Sequence, residues 1–296
     1  MGEIWAYRYD PTLERFLQIP VQVDDRMLYD LTEGQIPTPV FELTYDWFGS
    51  DDGLFDADDE VAVMLRDAGE RAPDTDVWVS EAEETRIELR VEDPITSDIG
   101  WIYLFTAPTI TDADPGFSYV AYTSADPPSG VATFETPTYL IGYEGRWRLT
   151  RLEILPNPDV LDRVKVRGYA LVGSQTEETY ENTSHFLGAW NGKVRALREV
   201  QGAASGPLTT VLDRFYRDTW VRVVNLRVHA MPDIWTYYDY LSPAVAGRFF
   251  SSVHGGGIDA DGANDSPATT SPAWSQMSLP DGTLVLDFDE LTGFPW

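Results

Sequence analysis

Residues 219–230 read TWVRVVNLRVHA. Successive side chains of a strand point to opposite sides, so an extended chain here places Val221, Val223, Asn225, Arg227 and His229 on one face. Trp220, Arg222, Val224, Leu226 and Val228 take the other. The apolar period is 2 and not 3.6, and the residues are mostly β-branched or aromatic. The same signal recurs at 4–9, 15–23, 60–65, 85–91, 100–106, 117–123, 138–144, 146–154, 163–172, 193–200 and 283–288. Clusters of Gly, Pro, Asp and Ser separate these runs, the punctuation of a sandwich or barrel.

Helix signals are scarce. Asn157-Pro158 suits a single turn through Asp162, and SPAVAGRFF at 242–250 suits two turns. Neither covers a sheet, so the sheets must cover one another, and the expectation is an all-β protein, a large antiparallel β-sandwich with very little helix. Two prolines in LPNPDV, residues 155–160, interrupt the pattern. The preferred organisation is one sandwich over residues 1–296, and the alternative is two in tandem, an acidic β-domain at 1–156 and a second at 157–296. No repeat of fixed period points to a propeller or solenoid.

Composition excludes several classes. There is no cysteine, hence no disulfide, thiolate metal site or cysteine nucleophile. Asp and Glu number 49 against 21 Lys and Arg, a formal net charge of −28, and only Lys165 and Lys193 are lysine. Phosphate-driven binding to nucleic acid or anionic lipid is therefore disfavoured. No run approaches the roughly 20 apolar residues of a membrane span, and none has the pattern of a secretory leader. With the abrupt ending Phe294-Pro295-Trp296, this leads to the expectation of a mature or excised piece of a longer precursor.

The acidic stretch DDGLFDADDEVAVM at 51–64 raises the question of a metal. An EF-hand type of calcium loop carries oxygen ligands at positions 1, 3, 5, 9 and 12, with Gly at 6. Gly53 at position 6 places Asp52, Asp56 and Asp59 at 5, 9 and 12, but Phe48 at position 1. The match is partial: Ca²⁺ on these three carboxylates is one reading, an acidic solvated turn the other. EVAVML, which follows, reads as a buried strand. The Asp-Gly pairs at 261–262 and 281–282 read as hairpin turns.

A second cluster lies at 225–240. Asn225, Arg227 and His229 share a strand face, and MPDIWTYYDY follows with Trp235, Tyr237, Tyr238, Asp239 and Tyr240. Sugar recognition needs rings for the C–H faces of a pyranose and fixed polar groups for its hydroxyls, which makes Trp235, Tyr237, Tyr240 and Asp239 a candidate platform. An enzyme can be built there too: abstraction of a proton beside a uronate carboxylate needs a neutralising cation or amide and a base, roles open to Asn225, Arg227, His229 and Tyr237 or Tyr238. The net charge opposes a polyanionic substrate, and a Trp- and Tyr-rich sandwich also places such residues in its core. The three histidines, His185, His229 and His254, lack the spacing of a zinc motif, and Ser205 lacks the context of a nucleophile elbow.

IPVQVDD at 19–25 followed by DADDEVAVML at 56–65 resembles a pattern of secreted bacterial β-sandwich proteins related to galactose-mutarotase-like carbohydrate-active proteins. The resemblance covers the first quarter of the chain. It implies an extracellular or cell-envelope sandwich with a glycan connection, and no catalytic residue of that superfamily maps onto this sequence. Three functions follow as expectations: a glycan-binding protein of the envelope or exterior; a polysaccharide lyase or hydrolase using the same cluster; and a structural surface or appendage protein that self-associates.

Overall fold

The computed structural model describes residues 4–34, 37–49, 55–73, 78–83, 85–94, 96–170, 173–203, 206–226, 233–240, 247–261, 273–280 and 282–287. The chain begins with β1 (Ile4–Asp10), β2 (Arg15–Ile19), β3 (Gln22–Asp24), β4 (Arg26–Asp30), β5 (Phe41–Tyr45), β6 (Glu60–Ala62), β7 (Arg86–Glu92) and β8 (Ile99–Thr106). It continues through β9 (Ala121–Asp126), β10 (Val131–Glu135), β11 (Tyr139–Glu144), β12 (Leu149–Ile154), β13 (Leu161–Ala170) and β14 (Gly173–Thr176) to helix α1 (Glu177–Thr183). Then come β15 (His185–Asn191), β16 (Ala196–Ala203), β17 (Gly206–Phe215), β18 (Trp220–Leu226) and β19 (Asp233–Tyr240). The last strands are β20 (Arg248–Ser251), β21 (His254–Asp259), β22 (Trp274–Leu279) and β23 (Gly282–Asp287). The protein is all-β, built of antiparallel sheets with one α-helix among the described residues, as the patterning predicts. No helix among the described residues is long and apolar enough to cross a membrane.

The chain divides into two compact units, each discontinuous in sequence. The first comprises Met1–Tyr122, Leu187–Gln201 and Pro207–Leu226; the second comprises Thr123–Phe186, Gly202–Gly206 and Arg227–Trp296.

In the first unit, strand order β2-β1-β8-β7 forms one sheet. Its period-2 pattern sorts side chains to two faces, Tyr7, Tyr9, Tyr103 and Phe105 on one and Ala6, Ile19 and Ile102 on the other. Phe16 meets Tyr103 and Phe105 edge-on at 5.0 and 5.3 Å between ring centroids, the geometry that aromatic quadrupoles favour. A second sheet runs β15-β16-β17-β18, and two small sheets pair β3 with β6 and β4 with β5. Val194 to Gln201 is buried without a break, although Arg195, Arg198 and Glu199 lie in it. Buried charges must be paired or neutralised: Arg198 faces the buried Asp213 at 3.7 Å, while Arg195 and Glu199 belong to the site described below.

The second unit holds sheets β12-β11-β10-β9, β14-β13-β19 and β21-β20-β22-β23. Phe134, Ile141, Leu149 and Leu152 are among its fully buried side chains. At the start of α1 the Thr176 N–H donates to Thr179 Oγ1 at 3.3 Å, and Glu177 and Glu178 occupy the first turn, where a helix dipole favours negative charge. Glu177, 2% exposed, accepts from Arg167 and from the Val166 N–H.

Several local expectations differ from the structure. Segment 15–23 is two strands, β2 and β3, separated at Pro20, which has no N–H to donate to a ladder. Residues 157–162 form no helical turn; Asp159 Oδ1 accepts the N–H groups of Leu152 and Leu161 at 2.9 and 3.1 Å and joins β12 to β13 directly. Of the stretch 242–250, residues 242–246 lie outside the described residues and Arg248 onward is strand β20. EVAVML is strand only to Ala62, half-buried, with Leu65 exposed.

Candidate functional site

Strand β5, FELTY, alternates apolar and polar residues, and its pairing with β4 sets which face each takes. Tyr29 lies opposite Glu42 and Met27 opposite Thr44 on the inner face; Leu28 lies opposite Leu43 and Asp30 opposite Phe41 on the outer. The polar residues are thus turned inward. Glu42 accepts from Thr210 Oγ1 at 3.1 Å and from Asn225 Nδ2 at 2.5 Å, and Thr210 and Asn225 are themselves partners across β17 and β18. Two residues along, Thr44 Oγ1 donates to Glu199 Oε2, and beyond the strand Trp47 Nε1 donates to the same oxygen at 2.6 Å.

Trp47 is fixed by packing as well. Its ring lies 4.4 Å from that of Trp190, and both contact Tyr45 edge-on near 5.9 Å. Gly188 supplies the space: a Cβ there would come within 2.2 Å of the Trp47 ring. A row therefore runs from Asn225 and Glu42, both half-buried, through the enclosed Thr44 and Glu199 to the half-buried indoles of Trp47 and Trp190.

Beside it, Arg195 donates to Asp24 Oδ2 at 2.6 Å, to Glu60 Oε2 at 2.5 Å and to Tyr216 Oη at 2.9 Å. Arg26 reaches Glu60 Oε1 at 2.8 Å, while Tyr45 Oη donates to Glu60 Oε2 and accepts from Arg214 Nε. Burial alone would raise the Glu60 carboxyl, but hydrogen bonds from Arg195 and Tyr45 and the positive charges nearby hold it below the usual carboxylate range. Glu199 behaves oppositely. It is 2% exposed, and burial, with the charge of Glu42 adding to it, pushes its carboxyl up to about 7 against the hydrogen bonds from Thr44 and Trp47. The two carboxyls are therefore split into a neutral-leaning buried acid and a hydrogen-bonded, half-exposed one. Because Glu199 is enclosed, the groups of the row that can meet a ligand are the indoles at one end and Glu42 with Asn225 at the other.

Of the residues expected to form a site, Asn225 belongs to this row. Arg227 and His229 lie outside the described residues. Trp235 and Tyr237 sit on β19 opposite Arg167 and Lys165, and their side chains are outside what is described. Tyr238 and Tyr240 share a face of β19 with centroids 6.5 Å apart, and Asp239 is bonded to Lys165 Nζ. Burial, and then the neighbouring Tyr238, raises the Tyr240 hydroxyl. Asn225 belongs to the first unit and β19 to the second.

In the acidic loop, Asp52 lies outside the described residues. Asp59 accepts the Arg26 N–H at 3.0 Å through one oxygen and the Asp56 N–H at 2.9 Å through the other, and Asp56 accepts the Asp58 N–H at 3.2 Å. Both carboxylates thus cap backbone turns. Among the described residues no three His, Asp or Glu side chains are grouped to hold a metal ion.

Trp47, Trp190, Glu42, Thr44 and Glu199 do not stand out in the sequence, although charges inside the otherwise apolar run VRALREV at 194–200 are a signal of buried pairing. Comparison of the chain with protein-family models, with curated proteins and with solved structures finds no match.

Proposed function

We propose that the protein is a glycan-binding β-protein of the cell envelope or extracellular space, taking sugar on the half-buried indoles of Trp47 and Trp190. One observation carries this reading: two partly exposed indoles lie 4.4 Å apart, with Trp47 fitted against Gly188 and hydrogen-bonded to Glu199. Rigid rings stack on pyranose C–H faces at little entropic cost, and Glu42 and Asn225 are planar groups of the kind that sugar hydroxyls pair with. The resemblance of segments 19–25 and 56–65 to secreted carbohydrate-active sandwiches points the same way.

A glycan array followed by calorimetry on the best hit tests it. Trp190 makes no hydrogen bond to Glu199, so Trp190→Ala removes half of the platform while leaving the Trp47 anchor. Binding weakened roughly fivefold or more, with the melting temperature largely kept, is the expected result, because a stacked ring is worth on the order of 1 kcal/mol or more. Retained affinity in the variant, or no binding to any glycan by the native chain, rejects the platform. Release of shorter sugars from a bound polysaccharide would assign the chain to an enzyme class instead.

A further inference from the structure

We propose that the outward face of the β4–β5 hairpin is a docking surface for a cationic protein segment with an apolar centre. Strand β5 is turned inside out from Phe41 to Thr44, Leu28 of β4 joins its outer face, and the exposed stretch ends at the buried Tyr45. Leu28, Phe41 and Leu43, the residues a half-buried strand normally buries, are 64%, 57% and 36% exposed, while Glu42 and Thr44 point inward. A slip of one residue would exchange the faces of a strand. The register is instead held by the bonds of Glu42 to Thr210 and Asn225 and of Thr44 to Glu199, so the apolar face is kept outward by specific polar anchors. Leu28 and Leu43 are directly opposite one another, and Phe41 lies on the same face two residues along. That makes a contiguous apolar stripe of the kind found at the centre of interfaces.

Charge selects the occupant. Asp30 shares this face with Phe41, the exposed Glu33 follows in the turn after β4, and the one base between Asp25 and Asp46, Arg26, is bonded to Glu60 at 2.8 Å. A second copy would bring the same carboxylates on a chain of net charge −28, and an anionic membrane would be repelled likewise. A segment that presents apolar side chains flanked by lysine or arginine gains at both the centre and the rim of this surface.

The test uses the full chain and two synthetic peptides with the same alternating Leu and Phe centre, one flanked by lysines and one by glutamates. Fluorescence anisotropy is read against the native chain and the variant Leu28→Ser/Leu43→Thr. The expected result is saturable, salt-sensitive binding of the lysine peptide alone, weakened roughly tenfold or more in the variant. Absence of lysine-peptide binding, or equal binding to the variant, overturns the proposal. So does sedimentation showing a dimer of the native chain that the variant loses, or binding to phosphatidylcholine vesicles. A variant that unfolds or melts many degrees lower also overturns it, since that face would then be covered within the chain itself.

Discussion

The indole Nε1 of Trp47 donates to Oε2 of Glu199 at 2.6 Å, although the two residues are separated by 152 positions in the sequence. The bond ties the segment after β5 to the centre of strand β16, and the acceptor is a carboxyl lifted from an ordinary 4.5 to about 7.

That lift sets a pH dependence. Between 4.5 and 7 the folded protein keeps a proton on Glu199 that the unfolded chain has released. Its contribution to stability is fully present below 4.5 and is lost as pH rises through 7, a change on the order of 3 kcal/mol. Glu60 and Glu181, both held low in the fold, act in the opposite direction, and their contribution disappears as pH falls below the usual carboxylate range. Glu199→Gln abolishes the first effect only. Urea titrations at pH 5 and pH 8 should show the variant gaining on the native protein at the higher pH, with a matching change in tryptophan emission. Parallel losses at both values would mean that Glu199 is ionised throughout.

Gly188 is the second constraint on the same indole. Its missing Cβ would stand 2.2 Å from Trp47 Cε3, and that ring is pinned by Glu199 on one side and Trp190 on the other. Gly188→Ala should therefore cost about 1–3 kcal/mol, the usual price of forcing a methyl into a packed site. Denaturation read by tryptophan fluorescence measures the loss. A neutral substitution would show that the ring is free to move away.

Much of the fold was legible because the period-2 signal is local: β1, β7, β8 and β18 follow from runs in which every second residue is apolar. The hairpin β4–β5 was not, because FELTY turns Glu42 and Thr44 inward and exposes Phe41 and Leu43, the reverse of what its pattern implies. Helix α1 escaped because it has seven residues and an acidic first turn in place of an apolar stripe. The site escaped for a different reason. Neighbours in sequence, such as Asn225 and Tyr238, were grouped together, whereas the structure assigns them to different units and gives Asn225 its partner in Glu42, 183 residues away. Such pairings depend on how sheets stack, which periodicity does not encode.

Asp59 offers a test of the acidic loop. Its two oxygens accept the N–H groups of Arg26 and Asp56, so the carboxylate links the start of β4 to the turn that enters β6. Asp59→Ala leaves both donors without that partner, and in half-exposed positions water makes up part of the loss. The expected destabilisation is about 1–2 kcal/mol, measured with a chelator present. Repeating the melt with added Ca²⁺ separates the two roles this carboxylate can have. An equal loss with and without Ca²⁺ identifies a turn cap, whereas a loss confined to the calcium-containing sample would make Asp59 a metal ligand completed by residues such as Asp52.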